Sequence, residues 1–397
     1  MLFQALPNDR AVLPLLLYIQ ERLGLWGESY RARFLFVVVA FSITVCIPKF
    51  TTTYTNLETF ICSMAELVFI GNVFGGAMLL WTEYDAFRQF IEQVNSLTKH
   101  FYREDPLKEH VLQFNYLIHR YTNRYCFSVM ILIMFYLAAP VITSFVVYFQ
   151  SLWKSYHLAN GTVRTWDISH RQFSLHMEQS FYGLQHRSNI LHYTLYIAVI
   201  VPMMFVTACT VHMKVLTIAS SVRYAEMLLH IVMLKVDSLP KQKSIREELH
   251  DIIKVHQRTL DCIALLVKAL RPVLLLQLVF CVLIWCLMML YFTITDGLSV
   301  KFFNIGIMFL VITIETFSPC YFGTRLSTQA VELSESVYAC GWPAMDRDIQ
   351  QRLRMVLHRT QSPVGIQAGK FCFVDMELFQ KMVNKSYSCF IVLKDAL

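Results

Sequence analysis

From Pro272 to Thr295 the chain carries no charged residue. A run of about 20 apolar residues is long enough to cross the hydrocarbon core of a bilayer as a helix. In lipid the backbone must satisfy its own hydrogen bonds, so a spanning segment is a helix or part of a closed barrel. Six further stretches repeat the pattern: Phe34 to Tyr54, Thr59 to Thr82, Tyr125 to Gln150, Ile190 to Val211, Phe302 to Phe322 and the weaker Phe371 to Leu393. Charged residues make up only 16% of the chain and mean hydropathy is +0.46, where a soluble protein has about 25% charged residues. The fold class expected is an all-α polytopic membrane protein with seven transmembrane helices.

The net charge of +7 invites a nucleic-acid reading, which its distribution rejects. Of the 35 Lys and Arg, 26 fall before the first span and in alternate connections, and 6 fall on the opposite side. The excess of Lys and Arg marks the cytoplasmic face, which predicts a cytoplasmic amino terminus and an extracellular carboxyl terminus. Asn160-Gly161-Thr162 is a glycosylation sequon in a connection that this topology puts outside. Asn384-Lys385-Ser386 also fits but lies within the seventh span and is discounted. The first ten residues, with Pro7, Asn8 and Asp9, lack the apolar core of a cleavable signal peptide.

The inner connections read as helices. Leu249, Ile252, Ile253, Leu260, Ile263 and Leu266 recur near helical spacing between Ser244 and Ala269, after a turn at Pro240. Phe87, Phe90, Ile91, Val94 and Leu97 do the same in the 83–124 connection. Such helices either project into the cytoplasm and pack together or lie on the inner membrane surface. Packing together is the reading adopted. Residues 1–322 are expected to hold six spans, a ligand pocket and cytoplasmic extensions. Residues 323–397 are expected to hold the remaining anchor helices and a pore-lining seventh helix.

Two carboxylates stand inside spans, Glu66 and Glu315. An intramembrane acid is a functional candidate, although hydrogen bonding to a neighbouring helix is its commoner use. The outer halves of spans two, three, four and six offer Phe69, Asn72, Phe145, Tyr148, Tyr196, Ile200, Met204, Phe303 and Ile307. Aromatic and Met walls with few polar groups suit a small apolar ligand; ordinary helix packing uses the same residues. In the last helix Glu377, Lys381, Asn384, Lys385, Ser388 and Val392 fall on one face at steps of three or four. One wet face and one apolar face fit a helix that lines a pore. No GxSxG, HExxH or glycine-rich phosphate loop is present, the 13 His are dispersed and the 11 Cys show no CxxC spacing. Neither an enzyme nor a metal or other cofactor is expected.

The final hundred residues resemble the insect odorant receptors, and specifically a mosquito-like ligand-tuning subunit. The resemblance rests on Phe317-Ser318-Pro319-Cys320-Tyr321-Phe322-Gly323, on Ser334, Ser336, Tyr338 and Trp342, on Arg359-Thr360-Gln361-Ser362-Pro363, on Ala368-Gly369-Lys370-Phe371 and on Ser386-Tyr387-Ser388. It implies a ligand-gated, non-selective cation channel in the plasma membrane of an olfactory dendrite. A tuning subunit would join a shared odorant receptor coreceptor in a heterotetramer around one pore. The ligand would be a small apolar volatile, aromatic ones included, bound in the outer half of the subunit. The last helix would line the pore, with Lys381, Lys385, Ser388, Val392 and Lys394 as candidates. The chain lacks the coreceptor's long insertion between spans four and five. It ends Lys394-Asp395-Ala396-Leu397, with a cation near the outer gate.

Three other classes share parts of this pattern. A G-protein-coupled receptor has the opposite orientation, and the 150–189 loop has no Cys for its usual disulfide. A homomeric gustatory-receptor-like channel lacks the terminal serine-tyrosine-serine pattern. A transporter usually shows two related halves, and none is evident.

Overall fold

Long apolar runs flanked by amphipathic runs fold here into single unbroken helices that outreach a bilayer. The computed structural model describes residues 12–27, 31–54, 56–159, 173–241, 244–295, 297 and 300–396. The first span is α2 (Arg31–Phe41), a π-helical turn (Ser42–Cys46) and α3 (Ile47–Thr51), preceded by the short α1 (Pro14–Leu23). The second is α4 (Leu57–Thr82), followed by α5 (Tyr84–Phe101). Then come α6 (Asp105–Ala159), α7 (Ile190–Ser238), α8 (Ile245–Ile294) and α9 (Val300–Ala339). The chain closes with α10 (Arg347–Thr360), a hairpin of β1 (Gln367–Ala368) and β2 (Cys372–Phe373), and α11 (Met376–Ala396). At about 1.5 Å per residue, the 55-residue α6 is roughly 80 Å long, against a hydrocarbon core of about 30 Å. The four longest helices therefore continue well beyond the membrane on one side.

Those extensions pack together as the amphipathic spacing predicts. Phe87, Phe90, Ile91, Val94 and Leu97 of α5 share one core with Leu249, Ile252, Ile263 and Leu266 of α8 and with α7, α9 and α10. At its far end Lys235 of α7 is buried, and its ammonium sits 3.0 Å from Glu104, 3.0 Å from Glu248 and 2.9 Å from Asp251. His100, Glu104 and Asp251 lie close enough together to hold a metal, but the lysine already supplies the positive charge there. Pro240 sits in the 3-10 turn Leu239–Lys241 that reverses α7 into α8.

Among the described residues six helices are long and apolar enough to cross a membrane. The seventh span, α11, has 21 residues and carries Glu377, Lys381 and Lys385. Two readings need correction. The seventh helix does not start at Phe371. Residues 371–373 belong to the hairpin turn and strand, and the helix begins at Met376, where Asp375 Oδ1 accepts from Leu378 N at 2.8 Å and Thr324 Oγ1 from Met376 N at 3.0 Å. Lys214, which a span ending at Val211 leaves in an inner connection, is buried in the helix bundle. The line drawn after residue 322 falls inside α9, which runs unbroken to Ala339.

The hairpin explains two of the quoted motifs. A Cβ at Gly323 would stand 2.0 Å from the Val374 carbonyl, so only glycine lets the hairpin lie against α9. Gly369 turns the hairpin with φ +59° and donates to the Arg271 carbonyl at 3.1 Å. The base of α11 is thereby fastened to both α8 and α9. Asn160 lies outside the described residues.

Candidate ligand cavity and terminal helix

The site begins with a proline. Pro48 has no N–H, and the π turn before it leaves the carbonyls of Ile43 and Thr44 open to outside donors. Tyr182 Oη donates to Ile43 O at 2.5 Å and Gln179 Nε2 to Thr44 O at 3.2 Å. The segment 173–189, between α6 and α7, is pinned across the bundle by these bonds. Ser174 and Ser144 are hydrogen-bonded, and His176 Nε2 donates to Leu137 O at 2.9 Å. In the middle of the segment, the Glu178 carboxylate takes Arg187 at 2.5 Å and Lys301 at 3.0 Å. Burial opposes the charge on Glu178, but Lys301 and Arg187 hold its carboxyl below the ordinary value.

Beneath this cover lies a cavity of about 70 Å³, several times the roughly 10–15 Å³ that one water needs. Phe69 (α4), Ile133 and Tyr136 (α6), Met204, Thr207 and Ala208 (α7), Ile307 and Met308 (α9) and His176 and Met177 of the cover are among its walls. Two buried ion pairs bracket it. At the cover end, Glu66 receives Lys49 Nζ at 2.5 Å, the backbone N–H of Glu178 at 3.2 Å and Cys62 Sγ at 3.4 Å. One helical turn past Val211 and Val311, Lys214 pairs with Glu315, which also accepts from Asn72 Nδ2 at 3.1 Å. Both intramembrane acids are thus held by a cation and a hydrogen bond. This is the structural use weighed above, although Glu66 also faces the cavity.

The residues singled out from sequence divide three ways. Phe69, Met204 and Ile307 line the cavity. Asn72, Tyr196 and Ile200 are fully buried beside it; Tyr196 stacks on His186 and donates to Met177 O at 3.3 Å. Phe145 and Tyr148 pack nearer the cover, with Phe145 edge-on to Tyr193, and Phe303 is 58% exposed on the outside of α9. These three do not join the cavity. Leu132, Ile133 and Tyr136 replace the first two because the lining stretch of α6 lies roughly two and a half to four and a half turns deeper, on the other side of Pro140. Nothing in the sequence pointed to His176 or Met177, which arrive from a connection.

The far end of the cavity connects to the last helix. Met308 and Ile312 of α9 pack in one cluster with Trp285 and Met288 of α8 and Met382 of α11. Phe379 of α11 lies edge-on to both Trp285 and Phe317. The opposite side of α11 is bare: Glu377, Lys381, Asn384, Lys385, Ser388, Val392 and Lys394 are all exposed. Lys381 is neutralised locally by Glu377 at 2.6 Å.

A polytopic helical membrane protein, with a buried apolar cavity under an outer cover and a charged terminal helix lying against α8 and α9, is the class these features define. The 7tm Odorant receptor family model matches residues 36–387, and the chain belongs to that family. It is 34% identical to Odorant receptor 2a of Drosophila melanogaster over 87 residues, 22% of each chain. It is 24% identical to Odorant receptor Or2 of Anopheles gambiae over 147 residues, 37% of this chain and 39% of that one. The matched segments therefore span well under half of these relatives. The fold is similar to that of the insect olfactory receptor OR5 from Machilis hrabei in complex with eugenol, with TM-score 0.70 and 11% identity over 94% of this chain and 91% of that one.

Proposed function

We propose that this chain is the odorant-sensing, tuning subunit of a ligand-gated, non-selective cation channel in the plasma membrane. The observation that carries the reading is the apolar cavity whose α9 wall packs through one side-chain cluster onto α11. A small apolar volatile, in the size class of the eugenol bound by the Machilis hrabei receptor, would contact Phe69, Tyr136, Met204 and Ile307. Tyr196, Ile200 and Asn72 would support that wall. A ligand that fits the cavity better in one arrangement of α9 shifts the population toward it. The Met308–Trp285–Met382 packing gives that shift a route to the pore helix. The bare face of α11, with Lys381, Lys385, Ser388, Val392 and Lys394, would line the pore. The helical extensions, including residues 323–370, would anchor it to a shared coreceptor in a heterotetramer. The amino terminus would be cytoplasmic, the carboxyl terminus and a glycosylated Asn160 extracellular. The exposure of nearly the whole outward face of α11 supports a partner there, since a single chain leaves it uncovered.

Expression with and without a coreceptor subunit tests this. The expected result is odorant-evoked current only in the co-expressing cells, with epitope tags on unpermeabilised cells stained at the carboxyl end alone. Robust current from this chain by itself would favour a homomeric channel. Staining of the amino end alone would overturn the topology.

A further inference from the structure

Buried polar atoms are almost always hydrogen-bonded, and one left over calls for an explanation. His176 is buried in the cover segment and lines the cavity. Its Nε2 lies 2.9 Å from the Leu137 carbonyl, which can only accept, so Nε2 carries the proton. Burial also pushes the imidazole's pKa down, which keeps the ring neutral. Nδ1 is then a bare lone pair, and it has no partner among the described residues. Glu66, Thr207 and His212 Nδ1, on the same wall, are committed. Glu66 is filled by Lys49 and the Glu178 N–H, Thr207 donates to Met203 O at 2.9 Å, and His212 Nδ1 bonds Tyr125 at 2.9 Å. Of the partnerless buried atoms in the described residues, His176 Nδ1 alone belongs to a residue lining this cavity.

We propose that the cavity selects ligands that donate one hydrogen bond from an apolar body, phenols and alcohols above all, and that His176 Nδ1 is the acceptor. This deepens the odorant-sensing reading and rests on it. An ether or hydrocarbon of the same shape leaves Nδ1 desolvated and unpaired, which lowers its affinity by about tenfold relative to the alcohol. Because Nε2 fixes the ring to α6, the acceptor is held at a set depth, so the ligand's hydroxyl lies toward the cover and its apolar end toward Met308.

Matched triplets test this on the complete receptor complex: para-cresol, para-methylanisole and para-xylene, then hexanol, methyl pentyl ether and heptane, with further skeletons up to ten carbons. Binding is read by saturation-transfer NMR on purified complex and gating by current. The hydroxyl member of each triplet is expected to bind about tenfold more tightly. His176→Phe should abolish that preference, and His176→Asn, which keeps an acceptor near the Nδ1 position, should restore most of it. The wild-type ranking needs no variant to fold. Ethers and hydrocarbons that match the alcohols would overturn the proposal, as would an alcohol preference that survives His176→Phe; the polar role would then pass to Tyr136. Failure of every hydroxyl compound to bind would overturn it as well. Binding with the expected ranking but no current would leave His176's role standing and contradict the channel reading instead.

Discussion

Replacing Lys214 with Met is expected to remove most of the receptor from the cell surface. Lys214 and Glu315 are 3% and 1% exposed and pair inside the bundle. Gly76 makes room for the lysine, since a Cβ there would stand 3.1 Å from its side chain. Stripping one partner from a buried pair leaves a lone charge and costs about 3–5 kcal/mol, a large part of the roughly 5–15 kcal/mol that keeps a protein folded. The double change Lys214→Met with Glu315→Gln removes both charges and keeps an acceptor for Asn72, so surface level and thermal midpoint should largely recover. Surface biotinylation and melting of the purified complex read both. A Lys214→Met variant at normal surface level would mean that the pair contributes little to folding.

The second large effect concerns ion selection. Lys394 is exposed near the end of α11. A unit charge about 4 Å from an ion in water contributes roughly 1 kcal/mol, and calcium feels twice what sodium feels. Reversing the sign with Lys394→Glu swings that term twice over, and screening takes part of it back. An increase of at least about threefold in relative calcium permeability is expected, with the odorant rank order unchanged because the cavity is built from other helices. Reversal potentials in sodium and calcium solutions measure the first, dose–response curves the second. Lys381 should give a smaller shift, because Glu377 already neutralises it. Unchanged permeability for substitutions at Lys394, Val392 and Ser388 alike would take this face of the helix out of the pore.

What could be read from the sequence follows the range of the forces involved. A charge-free run such as Pro272 to Thr295 must be a helix in lipid, and the 3.6-residue period of Phe87, Phe90, Val94 and Leu97 must bury one face. Both are local, and both match the structure. The side of α11 that carries Lys381, Lys385 and Ser388 is local too, and it is the exposed side. The cavity is not local. Spacing gives the face of a helix but not the depth along it, so Phe145 and Tyr148 lie roughly 14–24 Å too far out along α6. Phe303 stands one turn beyond Ile307 and clears the bundle. His176 and Met177 come from a connection whose path is set by carbonyls opened at Pro48, a proline effect no periodicity records. Lys49 and Lys214, tallied as topology signals, are instead the buried counter-ions of Glu66 and Glu315.

The central claim is that a ligand inside this cavity opens the pore, and Ala208→Phe tests it most directly. Ala208 lines the cavity from α7, and an aromatic ring there occupies the space a ligand would take, while overpacking of this kind costs about 1–3 kcal/mol. In cells that also express the coreceptor, the account predicts normal surface level and ligand-independent current, with odorant potency reduced by a factor of about a hundred or lost. An odorant dose–response curve that stays at the wild-type position with the cavity filled would contradict it.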